Sequence, residues 1–368
     1  MKVSGDEQLA KHFFWLNVCV TAVLLAAIVI SVLQFGVAAW EKRQQVGLVL
    51  VGSKEDAGWN RVQYRGMQEA CKALGYELLL QEDVRDDAAS CRKAIRELVE
   101  KRAKVVFLTN LISLQETRNI VKEYPNVQFF GMELNPSVFE FKRYAVRYIE
   151  PCYLAGILAG LRTKSGFVGY AAPYPGPEFY QAINAFALGV QRVNPNAEVL
   201  LVWTGGWEND ANEEQAVRDF KAASVDVMAY FQDGETIPAA AERAGIHFIS
   251  MYEMYPSYQY ELAAIKVDWK KSYINLLRQK LRQFDHAAYW ATILDRSVDI
   301  EPVMPSLSAR ERAALETERW EIRQGKMVFA GEIFDRNGIR RCGADESISN
   351  QSLLRMNWLV RGVRILGN

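Results

Sequence analysis

The side chains best suited to chemistry lie in short loops, and the first of these loops is Asp56–Asn60. Trp59 stands between a predicted strand and a predicted helix, where an indole has little core to fill. A flat ring there is suited to stack on a flat ligand, and the Asn60 side chain both donates and accepts hydrogen bonds. Asp56 or Asn60 can alternatively cap the helix that follows. We predict that Asp56, Trp59 and Asn60 bind a small molecule.

Four later loops carry rings or polar groups of the same kinds. Tyr174 and Phe179 lie in a segment with three prolines, which presents rings at little ordering cost, although a plain surface turn is the alternative. Trp207 follows two glycines, which allow a close backbone approach to a ligand. Glu235 follows another predicted strand, where its carboxylate can accept bonds from ribose hydroxyls or cap the next helix. Tyr252 directly follows the predicted strand that ends at Met251.

The motifs of catalysis and metal binding are missing. The three histidines, His12, His247 and His286, are far apart, and neither HExxH, GxSxG, GxxxxGK[ST] nor a GxGxxG after a strand occurs. Lys+Arg and Asp+Glu are equal at 44 each, which gives no basic footprint for nucleic acid. We therefore predict a binding protein and not an enzyme, with no catalytic residue, no metal ligand, no cofactor and no nucleic-acid partner.

The elements that must position these loops alternate between strand and helix. Apolar runs such as Val46–Val51 read as strands buried on both faces, and helical spacing such as that of Arg61–Leu74 follows them. Two consecutive series of this kind predict two parallel sheets covered by helices, in an α/β fold of two doubly wound lobes. Ligands bind beyond the carboxyl ends of such strands, so the loops named above should line a cleft between the lobes. The predicted divisions are a membrane anchor or signal segment at 1–45, the first lobe at 46–148, the second lobe at 149–268, and a return to the first lobe with an extension shared between the lobes at 269–368.

The segment Phe13–Trp40 contains no charged residue. It is long enough to span a bilayer as a helix. We expect residues 13–36 to be a single uncleaved membrane helix, with the large domain outside the cytoplasm. A cleaved signal peptide is the alternative, because Val37-Ala38-Ala39 is an acceptable cleavage site. Among the cysteines, Cys71 and Cys91 are the pair to test first for a disulfide, since both are predicted on neighbouring helices, whereas small buried hydrophobic residues are the alternative.

The order of several short motifs resembles the basic membrane protein family of periplasmic binding proteins, which includes purine nucleoside receptors serving ABC importers. The resemblance covers nearly all of residues 46 to 366. Its motifs are Asp56–Asn60 with Tyr64 and Gly66, Tyr153–Gly156 before Lys164–Gly169, Phe186 and Gly189 before Val193-Asn194-Pro195, Trp207–Glu213, Gly331–Gly338, Met356-Asn357-Trp358, and Gly362-Val363. Departures from the family pattern are Asn209-Asp210 in the Trp207 segment and Glu133-Leu134-Asn135 after the fourth strand.

The resemblance implies a type I periplasmic-binding-protein fold whose lobes are joined by a multi-strand hinge. It implies base stacking on Trp59 and on Phe179 or Trp207, polar contacts from Asp56 and Asn60, an acidic contact from Glu235, and a lysine at Lys266. Glu133 and Asn135 are included among the expected ligand contacts. It also implies delivery of a nucleoside-like solute to an ABC permease. A membrane-anchored sensor with a separate signalling partner is the alternative.

Overall fold

The computed structural model describes residues 5–41, 44–56, 58–85, 87–109, 114–132, 142–279 and 289–367. The chain begins with one long helix, α1 (Gly5–Glu41). Within it the stretch Phe14–Ser31 is long and apolar enough to cross a membrane, and its side chains are exposed. A signal sequence near an N-terminus has the same properties.

Lobe 1 is built on a six-stranded sheet with the order β11-β5-β4-β3-β1-β2, and all its strand pairs are parallel. Its inner strands are short apolar runs, as expected when helices cover both faces of a sheet. The elements of lobe 1 are β1 (Gln45–Val49), α2 (Trp59–Leu74), β2 (Glu77–Gln81), α3 (Ala88–Glu100), β3 (Val105–Leu108), α4 (Leu114–Lys122), β4 (Gln128–Met132), β5 (Lys142–Val146), α9 (Trp269–Gln279) and β11 (Tyr289–Ala291).

The two faces of the lobe 1 sheet carry separate cores. Cys71 packs with Met67 and Tyr273 in one core, whereas Cys91 packs with Ala94 and other apolar residues in the second core. Both cysteines are buried and free. Cys71 and Cys91, the pair to test first for a disulfide, are therefore not bonded to each other, because α2 and α3 cover opposite faces of the sheet. Both cysteines instead act as small buried hydrophobic residues, which is the alternative that the sequence left open.

Lobe 2 is built on a seven-stranded sheet with the order β12-β10-β9-β8-β6-β7-β15. Only the β10–β12 pair is antiparallel among its described pairs. The elements of lobe 2 are α5 (Ile149–Arg162), β6 (Phe167–Ala172), α6 (Pro177–Val193), β7 (Glu198–Trp203), α7 (Asp210–Ala222), β8 (Val227–Tyr230), α8 (Thr236–Ala244), β9 (His247–Met251), β10 (Glu261–Val267), β12 (Val298–Pro302), α10 (Ala309–Arg323), β13 (Ile333–Phe334), β14 (Arg340–Cys342), α11 (Asn350–Leu353) and β15 (Val363–Ile365).

Two glycines from the recognised motifs bring α5 and α6 into backbone contact. A Cβ at Gly156 would lie 1.9 Å from the carbonyl oxygen of Phe186, and one at Gly189 would lie 2.1 Å from that of Tyr153. Any side chain at either position would force the helices apart, so these glycines fix the closest helix pair of lobe 2. The resemblance thus rests partly on residues that maintain packing.

The chain passes between the lobes at three described connections: β5 to α5, β10 to α9, and β11 to β12. These connections touch one another, since the Asp268 amide donates to the Ser297 carbonyl at 2.8 Å and the Arg147 amide to the Ala291 carbonyl at 2.9 Å. They form a hinge of several strands. The carboxyl ends of both sheets consequently face the same interlobe gap.

The predicted order of strands and helices and the two-lobed α/β fold are confirmed. Element ends differ by a few residues: the helical spacing of Arg61–Leu74 belongs to a helix that begins at Trp59. The helix α9 packs on α2 of lobe 1. The hairpin around Asn337-Gly338 forms as β13 and β14. Beyond residue 290, β12 and β15 extend the sheet of lobe 2 at its two edges.

Candidate functional site

A chain of aromatic rings runs across the gap between the lobes. The ring of Trp59 lies edge-on to Trp269 at 5.5 Å and to Tyr252 at 6.0 Å, measured between centroids. On lobe 2, Tyr252 meets Phe231 at 6.3 Å, and Phe231 meets Trp207 at 6.1 Å. Such rings give a flat molecule apolar walls and defined stacking directions.

The position of Trp59 follows from the way α2 begins. The Asp56 carboxylate accepts from the backbone N–H groups of Gly58 (3.1 Å), Asn60 (3.0 Å) and Arg61 (2.9 Å), and from Nδ2 of Asn60 (2.7 Å). These bonds satisfy the first amides of the helix, so Asp56 has the capping role that the sequence allowed. Trp59 is half-buried and packs against the cores of both lobes. The indole therefore lies at the boundary between the lobes and is not enclosed in one of them.

Asp233 approaches this loop from lobe 2, just after β8. The backbone N–H of Trp59 lies close enough to its carboxylate to favour the charged form. A Cβ at Gly58 would lie 2.8 Å from Oδ1 of Asp233. The lobes can meet here because residue 58 has no side chain.

The environment of Asp233 disfavours its charged form. The pKa of Asp233 is raised to about 7, chiefly by burial and also by the neighbouring carboxylates of Asp56 and Glu208, while the Trp59 amide acts in the opposite direction. Desolvation and like charge both penalise ionisation. A group with hydrogen-bond donors placed beside Asp233 would relieve that penalty.

Several polar atoms at this boundary are buried without a protein partner in the described part of the chain. We call them the unpaired set, and they come from both lobes and the hinge. The set is Trp59 Nε1, Asn60 Oδ1, Tyr148 OH, Asp233 Oδ1 and Trp269 Nε1. Buried polar atoms are nearly always paired in folded proteins, so a concentration of exceptions requires an explanation. The set offers two indole donors, two acceptor oxygens and one hydroxyl, a combination suited to a heteroatom-rich ring or a polyol.

Tyr252 adds a backbone feature to the same place. Its φ angle is +70°, a left-handed conformation that is uncommon for a residue with a Cβ. Its side chain is buried against Trp59 and Phe231, and burial raises the pKa of its phenol well above the usual value. Strained residues of this kind concentrate at ligand sites, where the surrounding structure holds them in place.

An ion pair joins the lobes beside the ring chain. Arg61 of α2 contacts Glu253 of the β9–β10 loop at 2.6 Å between Nη2 and Oε2, and Arg65 contacts the other oxygen at 3.5 Å. Both partners in the shorter pair are roughly three-quarters buried. Together with the Asp233–Gly58 contact, this pair shows that the structure is a closed arrangement of the lobes.

The structure brings together some of the predicted residues and separates others. Trp59, Asn60, Asp56, Tyr252 and Trp207 lie along the ring chain or next to it. Tyr174 contacts the edge of Trp207 at 6.2 Å and is exposed. Phe179 is fully buried beneath Trp207 in the core of lobe 2.

Glu235 and Lys266 have other partners. The Glu235 carboxylate is exposed and accepts from the hydroxyl of Tyr258 at 2.7 Å. The Lys266 ammonium contacts Glu301 at 2.9 Å. Glu133 and Asn135 lie outside the described residues.

Four residues of the boundary were missed by the sequence predictions: Asp233, Phe231, Tyr148 and Trp269. Asp233 lies in the same loop as Glu235, after the same strand, so the strand-end rule pointed to the correct loop but not to the correct carboxylate. Tyr148 and Trp269 belong to the hinge connections. Their positions depend on where the chain crosses between lobes, which residue type and spacing do not reveal.

The comparisons with known proteins agree with this geometry. The sequence model of the family described as ABC transporter substrate-binding protein PnrA-like matches residues 43–270. This chain belongs to that family. Members of the family are binding proteins of ABC transport that act outside the cytoplasm, which gives this chain a small-molecule ligand and an ABC permease as partners.

Individual relatives extend the match over most of the chain. A purine-binding protein of Brucella abortus is 27% identical over 336 residues, covering 89% of this chain and 95% of that protein. A putative ABC transporter glucose-binding protein of Haloferax volcanii is 28% identical over 210 residues, covering 57% of this chain and 51% of that protein. Among solved structures, a solute-binding protein of an ABC transporter from Conexibacter woesei has a TM-score of 0.65 at 16% identity, covering 77% of this chain and 97% of that chain, and so supports the fold.

Proposed function

We propose that this member of the PnrA-like family captures a purine nucleoside or a closely related compound between its lobes and presents the closed form to an ABC permease. The observation that carries the proposal is the unpaired set, which lies buried within the chain of aromatic rings. A purine supplies a flat face for the rings, and its ring nitrogens and N–H groups match the indole donors and the carboxylate and amide acceptors. The Brucella relative named as purine-binding supports the same ligand class.

The mechanism follows from the contribution of both lobes to one site. A ligand that contacts Trp59 and Asn60 on lobe 1 and Asp233 and Tyr252 on lobe 2 binds the closed form better than the open form. It shifts the open–closed equilibrium by that difference in affinity. The permease then distinguishes liganded from free receptor by shape. Such a role requires no chemical change in the ligand, and we infer that the chain is not an enzyme.

We further propose that α1 stays attached and anchors the domain in the membrane. Its apolar stretch Phe14–Ser31 is exposed on all described side chains, as expected for a lipid-facing helix. N-terminal sequencing of the protein from a membrane fraction tests this part separately. A mature chain that begins after residue 39 would show that α1 is a signal peptide.

The ligand class is tested by a thermal-shift screen of the full-length protein against purine bases, purine nucleosides, glucose and amino acids. A ligand at about one hundred times its dissociation constant stabilises the folded state by about 2.7 kcal/mol. We expect the purine compounds to raise the melting temperature. A shift with glucose alone would replace the nucleoside by a sugar, in line with the Haloferax relative.

Two tryptophan variants test whether Trp59 contacts the ligand or only packs within the protein. Trp59→Ala should lower the affinity for the purine ligand by about a hundredfold or more, because it removes a stacking wall and one donor of the unpaired set. The matched control is Trp320→Ala, which removes an exposed indole on α10. Its affinity should equal that of the wild type. Equal losses in the two variants, or a Trp59→Ala protein that fails to fold, would assign Trp59 to packing alone.

A further inference from the structure

The loop that carries Trp207 connects β7 to α7 at the gap side of lobe 2. We call residues 204–209 the Trp207 loop. The Trp207 ring is 37% exposed and meets Phe179 beneath it edge-on at 5.4 Å. The two preceding residues are glycines, and Gly205 has a φ of +88°. Since glycine leaves a backbone many conformations, other groups must fix the position of this loop.

One buried amide side chain reaches the Trp207 loop. Gln232 is fully buried and directly precedes Asp233 after β8. Its Nε2 donates to the Gly206 carbonyl at 2.8 Å and to Oγ1 of Thr204 at 2.9 Å. The Trp207 carbonyl accepts from the backbone N–H of Asp233 at 3.2 Å. The Trp207 loop is therefore joined to the loop of Asp233 by a side chain and by the backbone.

A buried carboxylate lies at the nitrogen end of that amide. Glu213 is fully buried in the first turn of α7. Its Oε1 accepts from Nε2 of Gln232 at 3.1 Å and from the Asn209 amide, at the end of the Trp207 loop, at 2.9 Å. An ionised carboxylate only accepts hydrogen bonds. Glu213 therefore favours the amide orientation in which the nitrogen also reaches the Gly206 carbonyl.

The reversed orientation of the amide would be costly. Nε2 of Gln232 has two hydrogens, and four acceptor oxygens lie within 3.5 Å of it, the Trp207 carbonyl among them. A reversed amide would place its oxygen against these acceptors and leave the Gly206 carbonyl and Glu213 without that donor. Buried acceptors that lose a donor destabilise the arrangement. The acceptors around Gln232 thus hold its side chain in one direction.

We propose that Glu213 and Gln232 are positioning residues for ligand binding. The ionised carboxylate orients the amide, and the amide holds Trp207 in place as a wall of the interlobe gap. Neither side chain has to touch the ligand. The proposal rests on the proposed function, because Trp207 is the ring that would contact the ligand.

Protonation of Glu213 should loosen this arrangement. Burial raises the pKa of Glu213, and the bonds from Asn209 and Gln232 act in the opposite direction. As the pH falls through that raised pKa, the carboxyl group becomes neutral and no longer selects the nitrogen end of the amide. The surroundings of Trp207 should then change. Other carboxylates that face Glu213 are Glu208, Asp210 and Asp233.

Fluorine NMR of the ligand-free, full-length protein reports on the position of Trp207. All nine tryptophans are labelled with 5-fluorotryptophan, and the Trp207 resonance is assigned by its loss in Trp207→Phe. The parent protein carries Asp233→Asn, so that titration of Asp233 does not contribute. The Trp207 resonance should shift as the pH falls from about 7 to about 4. Glu213→Gln should remove most of this shift, because the amide cannot titrate.

Calorimetric titration with adenosine measures the effect on binding, with Asp233 intact. Glu213→Gln should weaken binding about five- to tenfold, because a buried hydrogen bond that orients the amide is lost. Gln232→Met keeps the length of the side chain but removes the donor, so it should weaken binding at least as much. The double variant should lose no more affinity than Gln232→Met alone, since both changes act through the same amide.

The matched control is Asp226→Asn at the opposite end of β8. The Asp226 carboxylate accepts from Oγ1 of Thr163 and from the backbone amides of Lys164 and Ser165. Its replacement should lower the melting temperature and leave the affinity for adenosine unchanged, because these bonds lie far from the gap. An equal loss of affinity in this control would overturn the proposal.

Two further results would overturn it: a Trp207 resonance whose pH dependence is the same in Glu213→Gln and its parent, and losses of affinity that add fully in the double variant. If Glu213→Gln does not fold, the resonance in Gln232→Met decides, since it should differ from that of the parent at neutral pH. If adenosine does not bind to the wild type, the proposed function fails for that nucleoside. The fluorine measurement still tests the positioning of Trp207, so the two failures are distinguishable.

Discussion

Two aspartates of lobe 2, Asp233 and Asp335, are both shielded from solvent, but they differ in their hydrogen-bond partners. Asp335 accepts from the amides of Ile339 and Asn337 at 2.9 Å and from Nε of Arg341 at 2.8 Å. Burial pushes its pKa up, but these bonds outweigh burial and the pKa of Asp335 is lowered. Asp233 has Oδ1 buried without a partner in the described protein, and its pKa is raised to about 7.

The difference separates scaffold from site. A carboxylate that completes a hairpin has its donors supplied by that hairpin, so it is stable in its charged form. A carboxylate in the gap between the lobes lacks hydrogen-bond donors from the protein. A bound ligand can provide those donors. The contrast between Asp233 and Asp335 therefore gives both a location and a ligand chemistry, and the following predictions are ordered from the largest expected effect to the smallest.

The largest of these effects is expected from Gly58→Ala, which places a side chain where lobe 1 meets Asp233. The new Cβ would lie 2.8 Å from Asp233 Oδ1, so closure would be obstructed and ligand affinity should fall about ten- to a hundredfold. The control is Gly206→Ala in another cleft loop, where the nearest atom to a Cβ is 3.9 Å away. Calorimetric titration of both variants with the purine ligand measures the effect. Equal affinity in the two variants would show that closure does not bring Gly58 against Asp233.

The second prediction concerns pH. An exposed aspartate has a pKa of about 3.9, so the closed form, with Asp233 at about 7, takes up a proton as the pH falls through 7. Closure of the ligand-free protein should become more favourable from about pH 7 down towards pH 4, by on the order of 2 kcal/mol, and should be constant above about pH 8. Small-angle scattering should show a smaller radius of gyration at about pH 5 than at about pH 8.

Matched asparagine variants assign that pH dependence. Asp233→Asn should remove it, because a neutral amide neither gains nor loses the proton. Asp335→Asn should retain it while lowering the melting temperature, since the amide cannot replace the charged acceptor of Arg341. A pH response that survives in Asp233→Asn would contradict the role given to this carboxylate.

The smallest effect is expected at the ion pair between the lobes. Glu253→Gln removes the partner of Arg61 and should weaken ligand binding by about two- to threefold, because partly exposed ion pairs contribute at most about 1 kcal/mol. The effect should shrink at high salt. Glu214→Gln is the control, since Glu214 pairs with Arg218 and Arg243 within lobe 2. A loss of the same size in this control would exclude an interlobe latch.

The sequence predicted the parts of this account that depend on local pattern. Buried runs such as Val105–Leu108 and helical spacing such as that of Trp59–Leu74 placed the strands and helices, and the strand-end rule placed Trp59 at the interlobe boundary. It could not choose between Asp233 and Glu235. Gly234 turns the chain between them with a φ of +83°, which sends one carboxylate towards lobe 1 and the other to Tyr258.

The other features that the sequence did not predict depend on tertiary structure. Cys71 and Cys91 lie on consecutive helices, but the right-handed crossovers of a doubly wound sheet place those helices on opposite faces. The strand β15 has three residues, too few for any periodicity, and pairs with β7 from far along the chain. Neither relation is encoded in neighbouring residues.

The structure of the protein with its best purine ligand tests the central claim most directly. A crystal structure of that complex should place ligand atoms within hydrogen-bond distance of Asp233 Oδ1, of Asn60 Oδ1 and of at least one indole nitrogen from Trp59 or Trp269, with the purine ring against Trp59. A ligand bound elsewhere, or one that leaves these atoms without partners, would contradict the account.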